Sequence, residues 1–268
     1  MNRPAACRSP FPRGRANRLA SFAVLLAVLA GAGCHQNAGA TKTSAEVLLN
    51  ERMAAVLLRD GRYHDAEVAY RDVIRSDPKN PELQDGLGVA LIMQSKVREA
   101  IDPFDRAIKL APDKGSYRVH RAMARIELGR YPEAEEDLRA ADGSTVPEDR
   151  FDALVHRGRM RQRQGDYPGA EAEFSGALAR EPKSYDALIG RGATREALGN
   201  YSGAAEDFLE AVRLQPKNPD ANLRLGLALV GMKKIALGRR YLERTVELDP
   251  GGDAGAKARL LLETTPVS

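Results

Sequence analysis

Tryptophan is absent from the 268 residues, phenylalanine and tyrosine number only six and eight, and cysteine occurs twice. With so few aromatics, elements must approach closely through small side chains to reach ordinary packing density. Both cysteines, Cys7 and Cys34, lie near the start. The rest of the chain has no thiol, which excludes a disulfide framework and a thiolate metal site there. There is no glycine-rich phosphate loop, no Gly-x-Ser-x-Gly elbow and no nucleophile spaced beside a base, so neither an enzyme nor a cofactor or metal is expected. A cationic surface is missing too. The formal net charge is +4, but five of the 41 basic residues and none of the 37 acidic ones fall in residues 1–33. The remainder is close to neutral, which argues against nucleic acid as a partner, since phosphate neutralisation needs a standing excess of Lys and Arg.

What the N-terminus holds is an address. Arg3, Arg8, Arg13, Arg15 and Arg18 precede an apolar run from Leu19 to Ala30, followed by Gly31-Ala32-Gly33 and Cys34. Charge, a short apolar core and small residues make the plan of a secretory signal peptide over residues 1–33. The run is shorter than the roughly 20 residues that span a bilayer as a helix. Leu29-Ala-Gly-Ala-Gly-Cys34 resembles the bacterial lipobox, whose cysteine becomes the lipidated first residue, although Gly31 sits where a larger aliphatic is commoner. The resemblance implies a membrane anchor through lipidated Cys34 and, with His35 after it, an outer-membrane lipoprotein facing the periplasm. Cleavage by ordinary signal peptidase after Ala30-Gly31-Ala32 remains open. Residues 34–46 then form the lipidated cysteine and a flexible tether, and Thr43 and Glu46 have capping-box spacing for the first helix.

The body is repetitive. Gly61-Arg-Tyr63, with Ala66 and Tyr70 after it, recurs as Gly129-Arg-Tyr131, Gly165-Asp-Tyr167 and Gly199-Asn-Tyr201, with weaker copies at Ser95-Lys-Val97 and Lys233-Lys-Ile235. A small residue in the preceding helix falls at Ala54, Gly88, Ala122, Gly158, Gly192 and Gly226, in steps of 34 residues except one of 36. Pro78, Pro112, Pro182, Pro216 and Pro250 close five of the six units; the third ends in Gly143-Ser-Thr-Val-Pro147, where the two extra residues lie. Glycine at the inter-helix turn accepts backbone angles that other residues resist, and the closing proline stops the second helix. Self-similarity at this period signals stacked helical hairpins.

This pattern resembles the tetratricopeptide repeat (TPR) family. The resemblance implies an all-α, right-handed solenoid of six helix-turn-helix hairpins (47–80, 81–114, 115–150, 151–184, 185–218, 219–252), with a capping helix and tail over 253–268. It implies a protein partner held in a groove lined by the first helices. At the family's groove places stand Val89, Ile92, Met93, Val119, Met123, Ile126, Leu223 and Leu227, with Val230 beside them, and Arg159 and Arg163 from the arginine-rich fourth unit. Among lipoproteins of this size the chain resembles those of type IV pilus biogenesis, of the pilotin kind. The implied function is a scaffold assisting assembly of a pilus or secretion machine; adaptors of cell-wall hydrolases and a self-associating structural component are the alternatives.

One pattern is read from the residues alone. Units three to five carry arginine at the seventh and eleventh places (Arg121 and Arg125, Arg157 and Arg161, Arg191 and Arg195), and an acid at the twenty-third (Asp137, Glu173, Asp207). Units two and six carry leucines and no acid there. Charges that switch together along the repeat are expected to form structural ion pairs between the two helices of a hairpin, rather than an anion-binding stripe. His120 and His156 share a place in adjacent units, without carboxylates or thiols at ligand spacing.

Overall fold

Each Gly-x-Tyr string sits at a turn between two helices, and each closing proline or its substitute separates one helix pair from the next. The structure, a computed structural model, describes residues 44–265. Within them lie thirteen α-helices and no strand: α1 (Ser44–Arg59), α2 (Tyr63–Ser76), α3 (Pro81–Met93), α4 (Val97–Leu110), α5 (Gly115–Glu127), α6 (Tyr131–Asp142), α7 (Pro147–Gln164), α8 (Tyr167–Arg180), α9 (Tyr185–Ala197), α10 (Tyr201–Leu214), α11 (Pro219–Gly231), α12 (Ile235–Leu248) and α13 (Asp253–Thr264). Successive odd and even helices pair as six hairpins, and α13 packs on α12 and α11 as a cap. The expected secretory segment, Cys34 and the expected capping role of Thr43 fall outside the described residues.

The helices form two compact units, the first ending at Pro112 and the second beginning at Asp113. In the first, α1 pairs with α2 and α3 with α4, while α3 also packs on α2. In the second, the hairpins α5–α6, α7–α8, α9–α10 and α11–α12 follow one another, with α7 packed on α6, α9 on α8 and α11 on α10.

Local chemistry explains the boundaries. Gly61, Gly129, Gly165 and Gly199 have φ between 72° and 78°, the left-handed conformation that ends a first helix without a Cβ clash. Ser95 and Lys233 hold the same turn in the two weaker copies, at φ 64° and 60°. Asn80, Ser184 and Asn218 cap α3, α9 and α11 by accepting from backbone N–H groups of their first turns. Helix α7 starts at Pro147, four residues before the expected boundary at 151, because proline is at home in a first helical turn and Glu148 and Asp149 complement the helix dipole. Helix α1 begins at Ser44, directly after Thr43 and three residues ahead of the first repeat unit at 47.

The widened join has its own lock. Buried Asp149 accepts from the Gly115 N–H at 2.9 Å and from Ser144 Oγ at 2.8 Å, so one carboxylate ties the start of α5 to the loop before α7. A Cβ at residue 115 would run into that carboxylate.

Packing follows the small-residue pattern. The Phe104 ring meets Gly88, Phe174 meets Gly158, Phe208 meets Gly192, and the Leu242 side chain meets Gly226, each within one hairpin. Tyr70 meets Gly86, and Phe174 also meets Gly190, in the hairpin that follows. Phe174 is completely buried, so truncating it to alanine would cost about 3–5 kcal/mol. Ala66, Ala100, Ala134, Ala170 and Ala204, also completely buried, let the paired helices close on one another.

Candidate functional site

The arginines at the seventh and eleventh places of the third to fifth hairpins lie on first helices, and Asp137, Glu173 and Asp207 lie on the second helices of the same hairpins. Arg121 donates from Nε to Asp137 at 2.9 Å, and Arg125 donates from Nη1 to the same carboxylate at 2.7 Å. Arg191 and Arg195 hold Asp207 in the same way, at 3.0 Å from Nε and 3.0 Å from Nη1. In the hairpin between, Arg157 reaches Glu173 at 3.0 Å and Arg161 reaches it at 3.3 Å. Asp137 and Asp207 are buried, so each needs these donors to offset its desolvation.

A carboxylate between two guanidiniums leaves a net positive charge, and further acids balance it. Arg157 also reaches Asp142 of α6 at 3.0 Å, Arg195 reaches Glu171 of α8 at 2.7 Å, and Arg161 reaches Asp166 at 2.8 Å. Burial works against the charge on Arg157, but the Asp142 hydrogen bond and nearby Glu173 outweigh it and raise its pKa. The first two of these acids belong to the preceding hairpin, so the ladder ties hairpins together as well as closing each one. The sequence reading missed Asp142 and Glu171 because they stand at no constant offset from the arginines.

Arg159 and Arg163 point elsewhere from Arg157 and Arg161, as a two-residue step on a helix requires. Both meet acids on neighbouring first helices: Arg159 reaches Asp186 of α9 at 3.2 Å, and Arg163 pairs with Glu127 of α5. Close by, burial raises the Asp152 carboxyl above its usual range while His120 pulls it back. Desolvation, Arg159 and His120 together bring His156 down to about 3, so it stays neutral. No group of three His, Cys, Asp or Glu among the described residues could hold a metal ion.

The apolar groove places are buried to different degrees. Val119 and Ile126 are buried in a cluster with Leu138, Ala153 and Met160, and Met123 is buried as well. Leu223 is buried with Leu242, Ala254 and Ala258, and Leu227 and Val230 pack against that cluster. The cause is that neighbouring first helices touch, α5 on α7 and α11 on α13, and large side chains at these places fill the gap between them. Val89, Ile92 and Met93 are half-buried. In the second unit the exposed remainder of this face is polar, with Arg159, Arg163, Asp186 and Glu127 in mutual pairs.

In the first unit, Glu67 of α2 forms a separate hub. It accepts from Lys96 Nζ at 2.7 Å, from Gln94 Nε2 at 2.9 Å and from Arg71 Nε at 3.1 Å. Burial pushes its carboxyl up, but the hydrogen bonds from Lys96, Gln94 and Arg71 outweigh it and bring the pKa down to about 2. The hub secures the α3–α4 turn to α2, where Ser95 replaces glycine.

Among solved structures, the chain is similar to PilW, described as a widely conserved type IV pilus biogenesis factor, with TM-score 0.71 and 18% identity over 81% of this chain and 100% of that one. It is similar to PilF of Pseudomonas aeruginosa (TM-score 0.66, 16% identity, 80% and 96% covered). It is also similar to the Cut9–Hcn1 hetero-tetramer of APC/C (TM-score 0.69, 16% identity, 82% and 43% covered). At these identities the likeness is one of fold. Two curated relatives are the probable UDP-N-acetylglucosamine–peptide N-acetylglucosaminyltransferases SPINDLY of Arabidopsis thaliana, 33% identical over 88 residues, and of Hordeum vulgare, 33% identical over 107 residues. The chain spans only 10% and 11% of their lengths. The tetratricopeptide repeat model matches residues 52–115, 94–149, 119–184 and 155–219, together more than half of the chain. The chain therefore belongs to the tetratricopeptide repeat family.

Proposed function

We propose that this protein is a non-catalytic interaction scaffold tethered to the bacterial envelope, where it assists assembly of a pilus or secretion machine. The observation that carries the scaffold reading is the use of the chain: every helix from Ser44 to Thr264 belongs to a hairpin or its cap. Repeat hairpins of this family mediate protein–protein contacts, and the arginines that could serve chemistry are engaged in ion pairs. The pilus reading is supported by likeness in extent, because the aligned region takes in all of PilW and nearly all of PilF. The envelope reading rests on residues 1–34. A lipid on Cys34 followed by a short tether would concentrate the hairpins beside membrane-bound partners, with the protein exported across the inner membrane and anchored in the outer one.

The test is affinity capture of the lipidated protein from detergent-solubilised envelopes, with partners identified by mass spectrometry. Recovery of pilus or secretin components is expected. Recovery of cell-wall hydrolases, or only of further copies of the chain, would replace the assembly role by an adaptor or a self-associating component.

A further inference from the structure

The outward side of α1 differs from the same side of every other first helix. Leu49, Met53 and Val56 are 61%, 37% and 43% exposed. Their counterparts one repeat on, Leu83, Leu87 and Ala90, are 0%, 6% and 0% exposed. In the sixth hairpin the counterparts Ala221, Leu225 and Ala228 are buried too, the last two in a cluster with Ala204, Ala205 and Phe208 of the preceding second helix. The repeat therefore states what covers this side of a first helix: a helix with alanine four residues before an aromatic and a small apolar residue three after it. Ala66, Tyr70 and Val73 fill those places in α2, and Ala204, Phe208 and Ala211 in α10.

Arg52 sharpens the match. It stands, exposed, at the place where Gly86 receives Tyr70 and where Arg224 lies 6.0 Å from the centre of the Phe208 ring. An arginine at this place is thus already seen to accept an aromatic from the arriving helix, by cation–π attraction. The chain's own preceding sequence does not carry the pattern. In the 34-residue phase, residues 29–42 put Gln36 at the aromatic place and Gly39 at the small apolar one. A second copy fits poorly as well. This is the concentrated run of exposed large apolar residues among those described, so a symmetric pair would have to join α1 to α1. Arg52, midway between Leu49 and Val56, would then lie beside its own copy, and like charges oppose that contact.

We propose that the outward face of α1 docks an amphipathic helix of a partner protein, which seats an aromatic residue on Arg52 and small apolar residues against Leu49, Met53 and Val56. The partner helix completes the repeat as a preceding second helix would. This surface is separate from the first-helix groove, and its test does not depend on the envelope reading.

The experiment measures fluorescence anisotropy of a labelled, side-chain-stapled peptide carrying residues 201–214, the sequence of α10, against the full chain. Binding is expected to weaken at least about tenfold in the double variant Leu49→Asp with Met53→Asp, and to a similar degree when the peptide carries Phe208→Ala. The protein variant changes exposed residues only, so its melting temperature should stay within a degree or two of the parent's. Absence of binding to the parent, or equal binding to the double variant, overturns the proposal. A micromolar dimer in sedimentation that the double variant dissolves would overturn it in favour of a second copy on this face.

Discussion

Arg191 holds Asp207 as a fork, with Nε 3.0 Å from one carboxylate oxygen and Nη2 2.6 Å from the other. Arg195 adds a third donor at 3.0 Å, and the carboxylate is buried. Removing it would leave two guanidiniums facing one another with little solvent. Asp207→Ala should therefore cost about 3–5 kcal/mol in urea unfolding, and Asp207→Lys more. A loss below about 1 kcal/mol would mean that the fork is not structural.

Gly190 has no space for a side chain, because a Cβ there would enter the Phe174 ring. Gly190→Ala should destabilise by about 1–3 kcal/mol, measured by thermal unfolding. Combining it with Phe174→Leu should recover part of that loss, since the smaller side chain vacates the overlap. Additive losses would show that the two residues do not share the site.

Ser95 and Lys233 occupy the left-handed turn that glycine takes in the other four hairpins. That conformation costs an L-residue about 1–2 kcal/mol. Ser95→Gly and Lys233→Gly should each raise stability by about 1 kcal/mol, or about 2–4 °C in a domain of this size. Gly129→Ala should lower it. A fall in melting temperature for either glycine variant would mean that the native side chain contributes more than its turn costs.

Glu67 gives the first unit an acid dependence. Its folded pKa of about 2 lies below the ordinary glutamate value of 4.5, so its contribution is complete above about pH 5 and is lost as pH falls through 2. Glu67→Gln should cost about 2 kcal/mol at about pH 7. The gap between variant and parent should then close between about pH 5 and pH 2, followed by circular dichroism. A gap that is constant with pH would remove the carboxylate charge as its cause.

The hairpins were legible in the sequence because each place has a local cause. Glycine marks the turn, proline the exit, and the small residue five or six places before the end of a first helix marks close approach. The fork of Arg191 and Arg195 on Asp207 was legible for a different reason: three residues change together from unit to unit. Contacts between hairpins were harder to read. Asp142, Glu171 and Glu127 reach arginines of neighbouring hairpins at separations of 15, 24 and 36 residues, so no fixed spacing reveals them. The burial of Val119, Met123 and Leu223 was not legible, because a place on the groove side of a first helix can also face the next first helix. Which of the two happens depends on how closely those helices pack. The exposed side of α1 had no sequence signal, since Leu49 and Met53 are large and apolar like their buried counterparts Leu83 and Leu87.

Cell assays reach the central claim most directly. The gene would be deleted and assembled surface pili and secreted proteins measured, with the parent chain or the Cys34→Ser variant supplied back. The expected result is loss of assembly on deletion, recovery with the parent, and little recovery with Cys34→Ser, which should leave the membrane fraction. Normal pili and secretion after deletion would contradict the assembly role, and full recovery with a membrane-retained Cys34→Ser variant would contradict the lipid anchor.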